Sequence, residues 1–347
     1  MAVYTKLTRS QISTHLTNYS LGKLIDFQEI IEGIDNSNFI IKTTGGADSR
    51  GDNKFILTIF ESRINKKDLP FFINFKEHLA KNKIHCPRPI LDNKGEAIVD
   101  LQDKKSTIVT FLSGKNLQPQ DDGYYSNITA QHCFEVGSML GKMHLVAQDF
   151  AMQRKNDLGV EAWSPLFSKF KDREDFFNLA KNLSNSLSQK NLKQEIADAL
   201  IFLEKAWRFD LPSSAAHLDL FPDNVFFDEN QKASGVIDFY FAANDVLIYD
   251  FAIVVNAWCF DEKNNFLQEK FLALKNGYEN FRKFSPKEID FLEIALCGAA
   301  MRFLLTRLHD KIFTPKSSLV KIKDPQEYII KLQFFKNKLN FLFQKKD

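Results

Sequence analysis

The stretch His217-Leu218-Asp219-Leu220-Phe221-Pro222-Asp223-Asn224-Val225-Phe226-Phe227 decides how this chain is read. It has the spacing H-x-D-x-x-x-x-N and runs directly into an apolar, strand-like segment. A second such segment, Val236-Ile237-Asp238-Phe239, carries another carboxylate fourteen residues beyond Asn224 (224 to 238). Phosphoryl transfer from a nucleotide needs a carboxylate that orients the attacking hydroxyl and takes its proton. It also needs oxygen ligands that hold Mg2+ on the phosphates. Asp219 suits the first task, and Asn224 and Asp238 suit the second. Magnesium takes hard oxygen donors and keeps several waters, so two protein ligands are enough. Asp, Asn and Pro also favour turns on their own account, so a bare H-x-D would carry little. The full spacing, with strand-like segments behind it, carries more.

Composition sets the outer bounds. A chain of 347 residues suffices for one large or two modest domains. Its 34 phenylalanines point to an aromatic-rich core. A net charge of +2 leaves no electrostatic footprint for nucleic acid and no acidic tail. Cys86, Cys133, Cys259 and Cys297 are far apart and form no C-x-x-C pair, which excludes a zinc knuckle or a dithiol redox motif. The last three lie in apolar segments and are expected as buried thiols. The first residues, with Lys6, Arg9 and His15, hold no apolar signal region, and no run approaches eighteen apolar residues. The expectation is a cytoplasmic protein with neither a membrane nor a nucleic-acid partner.

Working outward from the central stretch, periodicity predicts a short helix over Ser10–Tyr19 and strands over Leu24–Ile31, Asn38–Thr43 and Phe55–Phe60. A helix is predicted over Leu69–Lys81, then strands over Glu96–Leu101 and Ser106–Leu112. Helices follow over Thr129–Val146, capped by Thr129, and over Asp172–Leu187 and Leu192–Trp207. Asp149–Pro165, with Gly159 and Pro165, reads as loop, and so does Tyr240–Asp245. Tyr249–Trp258, Phe266–Asn280, Pro286–His309 and Pro325–Phe343 complete a helical second half. His144 is expected as a packing histidine. The turn Glu32-Gly33-Ile34-Asp35-Asn36-Ser37 is compatible with an ordinary hairpin or with backbone N–H groups laid against phosphates.

The chain resembles kinases of the aminoglycoside phosphotransferase type, relatives of protein kinases, and within them the homoserine kinase branch. The resemblance rests on Met1-Ala2-Val3-Tyr4-Thr5, Glu32-Gly33-Ile34-Asp35-Asn36-Ser37-Asn38-Phe39, Asp68-Leu69-Pro70-Phe71-Phe72, Ile108-Val109-Thr110-Phe111-Leu112-Ser113-Gly114, Gln148-Asp149-Phe150-Ala151-Met152, the central stretch and Asn256-Ala257-Trp258-Cys259-Phe260. It implies an α+β, bilobal protein-kinase-like fold. An N-lobe of antiparallel sheet plus helix would span 1–110, and a mostly helical C-lobe 111–347, with ATP between them. It implies that Gly33, Asn36, Ser37 and Asn38 cover the phosphates. The backbone of Thr110 and Leu112 would meet the adenine edge, and Asp250 would brace the loop around Asp219. The implied acceptor is L-homoserine, phosphorylated on its side-chain hydroxyl in threonine biosynthesis, by a monomer or homodimer.

One departure stands out. Kinases of this superfamily commonly place a lysine on the third strand, paired with a glutamate on the next helix. Thr58 occupies that strand position, and Phe71, Phe72 and Ile73 stand where the glutamate is expected, with Glu77 a turn later. Arg63, Lys66 and Lys67 are the candidate replacements. An amino-acid acceptor needs a cation for its carboxylate, and Arg302 and Arg307 lie in an otherwise apolar helix. A guanidinium matches a carboxylate with two hydrogen bonds. Five positions apart, the two point about 140° apart, so one of them faces the acceptor. Either could instead form an internal salt bridge. Asp245 or Asn244 would take the ammonium group. The alternatives are a choline- or aminoglycoside-type kinase, or a non-catalytic pseudokinase.

Overall fold

A computed structural model of the protein describes residues 5–30, 36–45, 53–61, 65–120, 125, 127–183, 189–315 and 322–343. The class is α+β, as expected. The chain divides into two compact units, Met1–Gly114 with Ser234–Tyr240, and Lys115–Ala233 with Phe241–Asp347. No helix among the described residues is long and apolar enough to cross a membrane.

The smaller unit begins with α1 (Arg9–Leu16), started by a capping box in which Thr8 and Gln11 satisfy each other's backbone N–H groups. The strands are β1 (Leu24–Ile30), β2 (Asn36–Thr43), β3 (Lys54–Phe60), β4 (Pro89–Ile90), β5 (Val99–Leu101) and β6 (Lys104–Thr110), with α2 (Leu69–Lys81) between β3 and β4. They form an antiparallel sheet in the order β1-β2-β3-β6-β4, with β5 on β6. Alternation places Phe39, Ile41, Leu57, Ile59 and Ile108 on one face, where they bury Ile12 and Leu16 of α1. Ser234–Tyr240 joins this unit by its aromatic rings. Phe239 meets Phe75 of α2 at 5.9 Å, and Tyr240 meets Phe72 at 5.7 Å and Phe60 at 5.6 Å, all edge-on.

The larger unit runs β7 (Lys115–Asn116), α3 (Ala130–Val146), α4 (Val160–Ser168), α5 (Glu174–Leu183), α6 (Gln189–Ala206), β8 (Ser213–Ala216) and β9 (Val225–Phe227). β10 (Ala233–Val236) leads the chain into the smaller unit. It resumes with β11 (Ala243–Val246), α7 (Leu247–Trp258), α8 (Gln268–Glu279), α9 (Pro286–Phe313) and α10 (Gln326–Phe343). Every residue of α7 is buried. α3 and α8 touch backbone to backbone, because a Cβ on Gly137 would lie 2.0 Å from the Leu274 carbonyl oxygen and one on Gly277 2.0 Å from that of Phe134. All four cysteines are free and buried.

Two loop expectations are corrected. Val160–Ser168 is helical despite Pro165, because Trp163 and Phe167 bury their rings and outweigh the lost backbone bond. Ala243–Val246 is a strand, antiparallel to β8 with Ala243 opposite Ala216. This pair fixes where the central stretch starts.

Candidate active site

The central stretch leaves β8 and turns sharply. Leu218 sits at φ 61°, a left-handed conformation that costs a branched residue roughly 1–2 kcal/mol. Such strain persists only where neighbours over-determine it, and here they do. Asp250 Oδ2 accepts from His217 N and Oδ1 from Leu218 N, both at 2.9 Å. Arg302 donates to the Leu218 carbonyl at 2.5 Å, and Trp258 Nε1 to the Leu220 carbonyl at 2.8 Å.

Asp250 is itself anchored. His144 Nε2 lies 3.0 Å from its Oδ2, and His144 Nδ1 lies 2.8 Å from Tyr278 Oη. Arg282 donates to Tyr278 Oη and pairs with Glu288, which closes the capping box of Ser285 at the start of α9. Burial pushes the Asp250 pKa up, but hydrogen bonding from His144 and the His217 N–H more than offsets it, so the carboxyl is held below its ordinary value. His144 is thus a buried link in this chain of contacts, and Asp250 holds the loop.

Asp219 takes its place at the end of that turn. Its N–H reaches His217 Nδ1 at 3.2 Å, and its carbonyl accepts from Asn224 Nδ2 at 2.8 Å. Tying down Nδ2 orients the Asn224 amide, so Oδ1 is the end left to offer a metal. Asp238, in the smaller unit, also has a left-handed backbone, at φ 62°. Phe239 and Tyr240 fix it from the C-terminal side. Beside it lies a residue that the sequence reading missed. Lys76 of α2 is almost fully buried, with its ammonium 5.6 Å from the Tyr240 ring centre. Burial pulls its pKa down to about 8, against the upward pull of Cys86 and Asp238. Nothing in Phe75-Lys76-Glu77 marks it, because its significance comes from the return of residues 234–240.

The β2 side chains are occupied. Ser37 Oγ donates to Glu61 at 2.7 Å and accepts from Thr5 N at 2.9 Å, and Lys104 closes this group on Glu61. Glu61 N donates to Asn36 Oδ1 at 3.4 Å, and Thr58 donates to Asn38 Oδ1 at 2.7 Å. Gly33 and Arg63 lie outside the described residues, and Lys66 and Lys67 are exposed. The Thr110 N–H donates to the Arg88 carbonyl at 2.9 Å, so it is already engaged. Leu112 packs beneath Gly235, where a Cβ would meet its Cδ1 at 2.9 Å.

The two arginines differ. Arg302 is buried, its guanidinium 4.7 Å from the centre of the Phe303 ring and 5.7 Å from that of Phe241. Arg307 pairs with Glu327 at 2.5 Å and donates to the Asp324 carbonyl at 2.8 Å. Asp245 accepts from Asn156 Nδ2 at 2.7 Å and from Val246 N at 2.8 Å, and burial raises its pKa. Asn244 accepts from Arg154 N at 2.8 Å.

The profile of the phosphotransferase enzyme family matches residues 26–284. The homoserine kinase of Rhizobium meliloti is 41% identical over 334 residues, which cover 96% of this chain and 94% of that one. The homoserine kinase of Bartonella henselae is 42% identical over 337 residues, 97% of each. Among solved structures, an amicoumacin kinase in complex with AMP-PNP, Ca2+ and its ligand superposes with a TM-score of 0.63 at 13% identity, covering 96% of this chain and 93% of that one. At that identity the likeness is one of fold.

Proposed function

Because the chain belongs to the phosphotransferase enzyme family, we propose that it transfers the γ-phosphoryl group of ATP to the side-chain hydroxyl of L-homoserine, giving O-phospho-L-homoserine for threonine biosynthesis. The observation that carries the reading is the pinned loop around Asp219, together with relatives named homoserine kinase that match it along nearly their whole length. Asp219 orients the acceptor hydroxyl and takes its proton as the new O–P bond forms. Asn224 Oδ1 and Asp238 are hard oxygen donors that fit Mg2+, which supplies charge neutralisation on the phosphates when bound. The β2 backbone from Asn36 to Asn38, with Gly33, covers the phosphates, and the Leu112 backbone meets the adenine, since the Thr110 N–H is already bonded to the Arg88 carbonyl. With the Ser37 hydroxyl already used internally, that grip is one of backbone N–H groups.

Arg302 and Arg307 supply positive charge for the acceptor carboxylate, and Asp245 negative charge for its ammonium group. Buried, free cysteines suit a reducing cytoplasm. Thr58 in the place of the strand lysine favours a pseudokinase as the second reading. The presence of Asp219, Asn224 and Asp238 together opposes it, and Lys76 beside Asp238 offers a cation from α2 instead.

Steady-state kinetics on L-homoserine, 3-aminopropanol, choline and kanamycin test the proposal. L-homoserine is expected to have the highest kcat/KM. Preference for choline or kanamycin would move the assignment to another branch, and no ATP turnover with any acceptor would favour the pseudokinase.

A further inference from the structure

Buried polar atoms almost always have hydrogen-bond partners, and leaving one unmade costs roughly 1–3 kcal/mol. The larger unit gathers several that lack one among the described residues. They are Tyr328 Oη, Tyr125 Oη, Asp223 Oδ1 and Arg302 Nε. They are not scattered. Tyr328 and Tyr125 both feel the charges of Asp219 and of Arg307, and the Tyr125 hydroxyl also feels Asp223 and comes within reach of its carboxylate without completing a hydrogen bond. Asp223 lies in the same loop as Asp219, four residues on, and Lys323 Nζ is 3.9 Å from its other oxygen, Oδ2. Tyr328 is fully buried, stacked on Phe303 at 5.2 Å, with the Arg307 guanidinium 4.4 Å from its ring centre.

The chemistry of these atoms is complementary to one kind of molecule. Burial and the charge of Glu327 raise the Tyr328 pKa, so its hydroxyl keeps its proton and is a donor. A donor beside two arginines suits a carboxylate. Asp223 Oδ1 is an acceptor on a charged group and suits an ammonium. A donor set and an acceptor set around the residue that takes the hydroxyl proton describe a zwitterionic hydroxy amino acid. A polyamine would leave the donors unmet, and a simple alcohol would leave both sets unmet.

We propose that Tyr328 and Asp223 are specificity-determining residues for the acceptor, with Tyr328 Oη donating to the carboxylate of the amino acid and Asp223 Oδ1 accepting from its ammonium group. This rests on the reading of the chain as a homoserine kinase and adds two residues to it. Arg307 and Asp245 have contacts that already engage them and Arg302 keeps only Nε open, whereas among the described residues Tyr328 Oη makes no hydrogen bond and Asp223 Oδ1 has the Tyr125 hydroxyl within reach but no completed bond. Neither residue stands out in the sequence, since Tyr328 is one aromatic in an apolar helix and Asp223 looks like the acidic residue of a proline turn.

The experiment measures kcat/KM for L-homoserine, for 3-aminopropanol, which lacks the carboxylate, and for 4-hydroxybutyrate, which lacks the amino group. Wild type is compared with Tyr328→Phe and Asp223→Asn. Tyr328→Phe is expected to lower the ratio of homoserine to 3-aminopropanol by about tenfold or more, because only homoserine loses a partner. Asp223→Asn is expected to lower the ratio of homoserine to 4-hydroxybutyrate by a similar factor. A variant that slows all three acceptors equally acts through the fold, and that result overturns the proposal for the residue. Wild type alone provides a second check should a variant misfold, since similar kcat/KM values for homoserine and both truncated acceptors also overturn it. Wild type that turns over homoserine while the ratios stay flat sinks this proposal alone. Wild type that does not turn it over sinks the function reading and this one with it.

Discussion

At the residue scale, the groups legible in sequence are those whose spacing is fixed by local chain geometry. Asp219 and Asn224 are five apart because the Asn224 amide closes the turn onto the Asp219 carbonyl at 2.8 Å. Asp250 was legible by resemblance, and its carboxylate meets the N–H groups of His217 and Leu218. Lys76, Asp223 and Tyr328 were not legible, because each acquires its surroundings from a segment distant in sequence. Asp219→Asn is expected to cut kcat by about 10²–10⁴-fold while the protein stays folded, since an amide cannot take the proton. Near-normal turnover in a protein with unchanged circular dichroism would remove the assignment. For the metal, Asp238→Asn is expected to raise the Mg2+ concentration needed for half-maximal rate more than Asn224→Ala does, because a charged oxygen is lost rather than a neutral one. The asparagine is the better probe. Both substitutions take the carboxylate's charge away from the buried Lys76 ammonium, but asparagine keeps the size and a polar oxygen beside it, whereas alanine also leaves a gap there. Superimposable Mg2+ titrations would place the metal on other residues.

At the element scale, helices with a clear apolar period were found close to their ends. The misses have physical causes. β8 and β11 are four residues each, of mostly small side chains, and pair across 27 to 33 positions (216 to 243, 213 to 246), so no local pattern announces them. Pro165 and Gly159 read as breakers, but Gly159 is the N-cap of α4 and the buried Trp163 holds the helix together. Contacts between elements give two predictions. Gly137→Ala gains about 1 kcal/mol of helix propensity. It also drives a methyl into the Leu274 carbonyl, which cannot rotate aside, so α3 and α8 must part. Overpacking of this kind costs about 1–3 kcal/mol, so a lower melting temperature is expected, and a melt matching wild type would mean the helices separate freely. The second concerns Glu327, which joins α10 to Arg307 of α9 and to Lys331. Burial alone would raise its pKa, but the charges of Lys331 and Arg307 bring it down to about 2. Burial also lowers the Lys331 pKa despite the pairing, so the permanently charged Arg307 is the dependable partner. A depressed carboxyl gives stability that is present above its unfolded pKa and is lost as pH falls through the folded one. The advantage of wild type over Glu327→Gln in urea unfolding is therefore expected to be full at pH 6, roughly 3 kcal/mol, and less than half that by pH 3. A difference that does not change with pH would show that the ion pair contributes little.

At the scale of the whole molecule, the α+β class was legible because strands crowd the first third of the sequence and helices the rest. The excursion of Ser234–Tyr240 into the smaller unit was not, since only the rings of Phe239 and Tyr240 meeting α2 and β3 reveal it. The distribution of the four thiols has a kinetic consequence. Cys86 belongs to the smaller unit, and Cys133, Cys259 and Cys297 to the larger. Burial pushes Cys86 and Cys297 up to about 12, and Cys259 well above its ordinary value, so a thiol reagent finds little thiolate to attack while the fold is closed. Each sulfur is then a clock that starts only when its own surroundings open. In a native-state labelling time course followed by peptide mass spectrometry, Cys86 is expected to be modified first, because a smaller unit buries a smaller share of its surface and opens at lower cost. A single common rate for all four would mean that the chain opens as one cooperative body.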